Sequence, residues 1–76
     1  VKVYPSIINK EIIVDFGNND ISERKEIELF NISGVSQAHW QILESKVNLD
    51  VDLVSGIYLL KVKYKNHCAV FRILKP

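Results

Sequence analysis

Ser55-Gly56-Ile57-Tyr58-Leu59-Leu60-Lys61-Val62-Lys63-Tyr64, then Lys65-Asn66, then His67-Cys68-Ala69-Val70-Phe71-Arg72-Ile73-Leu74-Lys75 is the stretch that decides the fold. Its first part alternates Tyr58, Leu60, Val62 and Tyr64 with Ile57, Leu59, Lys61 and Lys63, the period of two in which a strand sends successive side chains to opposite faces. Two residues turn the chain and a second strand follows, so the segment reads as a β-hairpin. The same period recurs upstream: Ile12, Val14 and Phe16 alternate with Ile13 and Asp15, and Ile27 and Leu29 with Glu26, Glu28 and Phe30. Short runs at 1–4, 38–43 and 46–49 bring the strand count to seven, at intervals of roughly 8 to 12 residues, the spacing of an all-β sandwich. No segment stands out with helical period and length. The expectation is an all-β, seven-stranded immunoglobulin-like antiparallel β-sandwich, one domain over residues 1–76. Its core should hold Ile12, Val14, Phe16, Ile27, Leu29, Tyr58, Leu60, Val62, Phe71 and Ile73, with Gly56 at the turn into the sixth strand.

Turn chemistry agrees. Asn31-Ile32-Ser33-Gly34 closes the third strand where glycine takes positive φ without steric cost, and Gly17-Asn18-Asn19-Asp20 does so after the second. Pro5 lacks a ladder donor, which places the first strand at a sheet edge.

The hairpin region is also where charge separates. Residues 53–76 carry five basic side chains and no acidic one, while the first 52 carry nine acidic against Lys2, Lys10, Arg24, Lys25 and Lys46. A one-signed patch attracts anionic surfaces and weakens with salt. At 76 residues, 47% apolar and 25% charged, the composition is that of an ordinary globular domain. A chain this short buries only about 60% of its unfolded surface, so stability should be marginal. No apolar run reaches the ~18 residues of a membrane-spanning helix, and no signal peptide opens the chain. The start at Val1 without Met suggests a module excised from a longer protein. Cys68 is the sole cysteine, so no internal disulfide forms.

Catalytic chemistry finds little footing. His67 and Cys68 are neighbours on a strand and point to opposite faces, which disfavours a nucleophile-base pair. A buried apolar Cys68 and a surface His67 are expected instead. His39 beside Trp40 lacks the converging ligands a metal needs. Asp50 and Asp52 share a strand face, yet paired catalytic carboxylates flank a cleft, so a solvated rim is expected. Asp20, Glu23, Glu26 and Glu28 with Arg24 and Lys25 read as the charged outside of a turn and strand. No catalytic residue, metal or cofactor is assigned. Most of the seven aromatics belong to the core, with Phe30, Trp40 and Tyr64 unplaced. Nucleic acid is disfavoured as a partner because aromatics and lysines do not interleave on one stacking platform.

Val3-Tyr4-Pro5, an Ile-rich strand ending Asp15-Phe16, Ile27-Glu28-Leu29-Phe30-Asn31-Ile32-Ser33-Gly34, Leu53-Val54-Ser55-Gly56-Ile57-Tyr58-Leu59-Leu60-Lys61-Val62 and the final Phe71-Arg72-Ile73-Leu74-Lys75, in that order, resemble the C-terminal sorting domain of the type IX (Por) secretion system. The likeness covers essentially the whole chain. It departs at Tyr4-Pro5-Ser6-Ile7, where the family opens Tyr-Pro-Asn-Pro, and at Pro76 after Lys75. The resemblance implies a non-catalytic secretion address on a protein of the Bacteroidetes group, carried through periplasm and outer membrane to the cell surface or medium. The implied partners are the outer-membrane translocon and a surface sortase, with anionic lipopolysaccharide as a further partner. By position, Gly56, Tyr58 and Lys61 match the family's glycine-tyrosine-lysine motif and Phe71, Arg72, Ile73, Leu74 and Lys75 its terminal strand, with Lys63 counted among the implied recognition residues; a single exposed Lys61-Lys63-Lys75 surface would favour sorting. The competing readings are an accessory immunoglobulin-like spacer or glycan-binding module of an extracellular enzyme, and a retained lipopolysaccharide-contacting domain of a secretion component. A planar row of exposed aromatics would favour glycan binding.

Overall fold

The alternating hairpin strand becomes the interior of a sheet. In the computed structural model, which describes residues 1–4, 10–17 and 24–76, seven strands follow one another: β1 (Lys2–Tyr4), β2 (Glu11–Asp15), β3 (Lys25–Asn31), β4 (Ser36–Ile42), β5 (Lys46–Asp50), β6 (Gly56–Tyr64) and β7 (His67–Lys75). They form two antiparallel sheets, β1-β2-β5 and β4-β3-β6-β7. The chain changes sheet at the β2–β3, β4–β5 and β5–β6 connections, so each sheet is assembled from segments distant in sequence. The described residues contain no helix. β1 lies at an edge, as Pro5 implies, although Pro5 and residues 18–20 of the second turn fall outside the described residues.

Strand parity builds the core. Ile12 and Val14 of β2, Leu49 of β5, Ile27 and Leu29 of β3, Leu60 and Val62 of β6 and Ile73 of β7 meet in one buried cluster with Phe16, Val51 and Tyr58. All ten expected core residues pack there, Phe71 being half-buried at the margin. Trp40, Tyr64, Ala38 and Ile42 close the sides. The two sheets thus make a sandwich, each with one face turned to the other.

The turns follow from side-chain chemistry. The Asn31 side chain accepts hydrogen bonds from the Ser33 and Val35 amides at 3.0 Å each, and Gly34 completes the turn at φ 86°. In the hairpin turn Lys65 takes φ 53°, a conformation that L-residues adopt at some cost.

Two burial expectations are overturned. Lys25, expected on the charged outside, is 1% exposed, because it stands at an inward position of β3 opposite Ile42 and Tyr64. Its stem packs in the sandwich while Nζ donates to the Leu43 carbonyl at 2.8 Å and lies 5.4 Å from the centre of the Phe16 ring, a polar and cation-π accommodation that makes the burial tolerable. Glu26 and Glu28 do face outward. Cys68, expected to be buried, is exposed. The two-residue turn sets Tyr64 opposite His67 and therefore Cys68 opposite Lys63, on the outer face of the sheet.

Leu60 is fully buried at the centre of this arrangement, paired with Leu29 on one side and Phe71 on the other. Leu60→Ala should lower the free energy of unfolding by about 2–5 kcal/mol, read from urea denaturation, a loss comparable to the whole stability of a domain this small.

Candidate recognition site on the terminal hairpin

The Gly56-Ile57-Tyr58 segment has a local structural reason. Gly56 opens β6 at φ 155°, where a side chain would be strained, and lies opposite Lys75 near the chain end. Tyr58 then turns into the core, 4% exposed, and its hydroxyl donates to the Val54 carbonyl at 2.7 Å. This pins the β5–β6 connection to the strand it feeds, in the manner of a tyrosine corner. The Ser55 hydroxyl donates to the Pro76 carbonyl at 3.0 Å, so the same corner holds the end of the chain.

The nine residues taken from the sequence therefore divide by face. Tyr58 and Ile73 are buried, and Phe71 packs half-buried against the core, so these three present little or no side-chain surface. Lys61, Lys63, Arg72 and Leu74 stand on the outer face of the four-stranded sheet. Lys75 does not share that face: paired with Gly56, it has the parity of Tyr58 and Ile73. Lys61 and Lys63 lie opposite Val70 and Cys68, five and seven residues from Lys75, a separation of roughly 16–24 Å along the strand. The expected single Lys61-Lys63-Lys75 surface does not form.

The basic bias of the hairpin is also balanced in space. β3 lies beside β6, and its register sets Glu28 opposite Lys61 and Glu26 opposite Lys63. Opposite charges at directly paired positions attract and stabilise the sheet. On the far side of β3, His39 Nε2 lies 4.0 Å from Glu26 Oε1, and Gln41 Nε2 donates to the same oxygen at 3.5 Å. Glu26, Glu28, His39, Lys61 and Lys63 line one shallow polar hollow of both signs. Only a tertiary pairing between segments more than thirty residues apart reveals this.

Toward the chain end the outer face changes character. Phe30, Leu59 and Arg72 form one cross-strand row, and Ile57 and Leu74 the next. Leu74 is 43% exposed and Val70 58%. Around the same end stand Ile32 and Val35 of the β3–β4 turn and Val54 of the β5–β6 connection, the last 80% exposed. Sequence reasoning missed this apolar rim, although the outward parity of Ile57 and Leu59 was a signal for it.

The remaining candidates are dispersed. His67 and Cys68 point to opposite faces; His67 stacks at a tilt on Tyr64, 5.7 Å between ring centres, and Tyr64 meets Phe16 edge-on at 5.2 Å. Asp50 and Asp52 are exposed on an open rim beside Lys10. Among the described residues no three His, Cys, Asp or Glu are placed to hold a metal ion, and no helix is long and apolar enough to cross a membrane. Phe16, Trp40, Tyr58, Tyr64 and Phe71 turn toward the core, while Tyr4 on β1 and Phe30 on β3 belong to different sheets, so the described aromatics form no planar exposed row.

Fold and surface define a small all-β domain whose glycine-tyrosine corner is built into the sandwich and whose last strand runs along a sheet edge. The chain belongs to the secretion system C-terminal sorting domain family, whose model matches residues 2–75. No match was found among curated proteins or among solved structures. Domains of this family serve as C-terminal sorting signals for type IX secretion, on proteins that are secreted or attached to the surface by way of the outer membrane.

The corner reading carries a direct test. Tyr58→Phe leaves the ring and removes only the bond to Val54, and should cost about 0.5–1.5 kcal/mol in chemical denaturation. Gly56→Ala should also destabilise, through its φ rather than through a clash, since an added Cβ would meet only the Tyr58 ring edge at 3.8 Å. A Tyr58→Phe variant as stable as the parent would remove the corner from the account.

Proposed function

We propose that the domain is a non-catalytic address read at the outer-membrane translocon of the type IX system, and that the reading surface is the outward side of the β6–β7 hairpin near the chain end. The observation that carries this is the family match over residues 2–75. Support from geometry comes from the position of β7 at an edge of its sheet, with Arg72 and Leu74 exposed on it. Gly56, Tyr58 and Ile73 then act by shaping the hairpin, while Lys61, Lys63, Arg72, Leu74 and Lys75 are the side chains within reach of a receptor. A sortase acting on the exported protein fits the same reading. Lipopolysaccharide attraction is the weaker element, because Glu26 and Glu28 sit beside Lys63 and Lys61 and reduce the field of the lysines. Glycan binding finds no support in aromatics that turn inward.

The test is transfer of a reporter. Fused to the C-terminus of a periplasmically exported reporter in a type IX-competent bacterium, the domain should move the reporter to the surface or medium. Removing residues 71–76 should leave it in the periplasm, but this deletion also takes Ile73 out of the core. The paired variant Arg72→Glu with Leu74→Ser, both at exposed positions, should reduce transfer while the isolated domain keeps its unfolding midpoint. A folded, intact domain that leaves the reporter in the periplasm refutes the proposal.

A further inference from the structure

We infer that β7 takes a strand from its partner by edge addition, and that the added strand carries an apolar–acidic–apolar pattern at alternate positions, its acidic residue facing Arg72. This deepens the sorting reading and rests on it for the identity of the partner, an extended peptide segment of the secretion machinery.

Among the described residues, four strands end a sheet: β1, β4, β5 and β7. β1 has three residues and β5 five, with Lys46, Asn48 and Asp50 exposed, the short and polar forms that discourage pairing. β4 presents His39 and Gln41 outward and its register with β3 is broken between Leu29 and Phe30, a further protective irregularity. β7 is the longest of the four, and its basic positions are His67 at its start, Arg72 outward and Lys75 at its end. It runs nine residues in unbroken register with β6, contains no proline and pairs on one side only among the described residues. An edge of this length and regularity is a template for another strand, and its outward charge selects which one.

Its side chains specify which strand. The outward row of β7 toward the chain end is Val70, Arg72, Leu74, with Leu59 and Ile57 behind the last two on β6. The Arg72 side chain makes no hydrogen bond or ion pair among the described residues, and its neighbours in the row, Val70 and Leu74, are apolar. A strand added about 4.8 Å away would set alternate side chains directly beside Val70, Arg72 and Leu74. Apolar residues there would cover two exposed hydrophobes, and a carboxylate would meet the guanidinium in its bidentate geometry. A second copy of this chain fits less well, because β7 contains no acidic residue to offer Arg72.

The test uses the 76-residue chain, isotopically labelled, titrated with the heptapeptide Thr-Val-Thr-Asp-Thr-Val-Thr and followed by amide shifts. Shifts should concentrate on residues 67–75. Arg72→Glu should weaken binding about tenfold or more, and the peptide with Lys in place of Asp should bind the variant better than the parent. No shifts at millimolar peptide, shifts on β4 instead, equal binding by Arg72→Glu, or self-association through β7 without peptide would each overturn the inference. The reporter assay separates the two levels: a parent domain that sorts while Arg72→Glu sorts equally well contradicts strand addition alone, whereas a parent that fails to sort contradicts the sorting reading and leaves strand addition to be judged by the peptide.

Discussion

The inward parity of β6 is the constraint on which the sandwich depends. Tyr58, Leu60 and Val62 face the core from a strand paired on both sides, with β3 and with β7. A slip of one residue would put Lys61 and Lys63 between the sheets and Leu60 in water, so the register is strongly specified. β3 and β7 inherit their own parities from it. The same choice that buries Ile27, Leu29 and Ile73 turns Glu26, Glu28, Arg72 and Leu74 outward.

From this follows a division between buried and displayed positions along the hairpin. Gly56 and Tyr58 lie where the chain enters β6 from the other sheet, the point at which a sandwich must fix the angle of a crossing segment. The backbone of Gly56, the hydroxyl of Tyr58 on Val54 and the Ser55 contact with Pro76 meet there. The corner therefore couples the core to the position of the last strand. Residues that a sequence comparison would group as one motif occupy two kinds of position, some buried in the hairpin's inner face and some displayed on its outer one.

What could be read without the structure was whatever depends on period and local turn chemistry. The alternations at Ile12, Ile27 and Tyr58 marked strands and core faces because each strand buries one face, and Asn31 with Gly34 marked a turn because their chemistry is local. Lys25 escaped because its burial depends on a carbonyl at Leu43 and a ring at Phe16, neither near it in sequence. The pairing of Lys61 and Lys63 with Glu28 and Glu26 escaped for the same reason. Cys68 and Lys75 were legible in principle: with a two-residue turn, Tyr64 opposite His67 forces Lys63 opposite Cys68 and Gly56 opposite Lys75. The preference of cysteine for burial points inward at Cys68 while strand parity points outward, and parity prevails in the structure.

The central claim is that inward hairpin residues serve sorting through the fold and outward ones through contact. The most direct measurement is sorting efficiency of the reporter set against the unfolding free energy of the isolated domain, across variants at Tyr58, Leu60 and Ile73 and at Arg72 and Leu74. The account predicts that the inward variants fall on one curve, sorting declining only as stability is lost, while the outward variants lie below it at unchanged stability. A Tyr58→Phe domain of near-parent stability that no longer sorts, or Arg72 and Leu74 variants that lie on the stability curve, would contradict it.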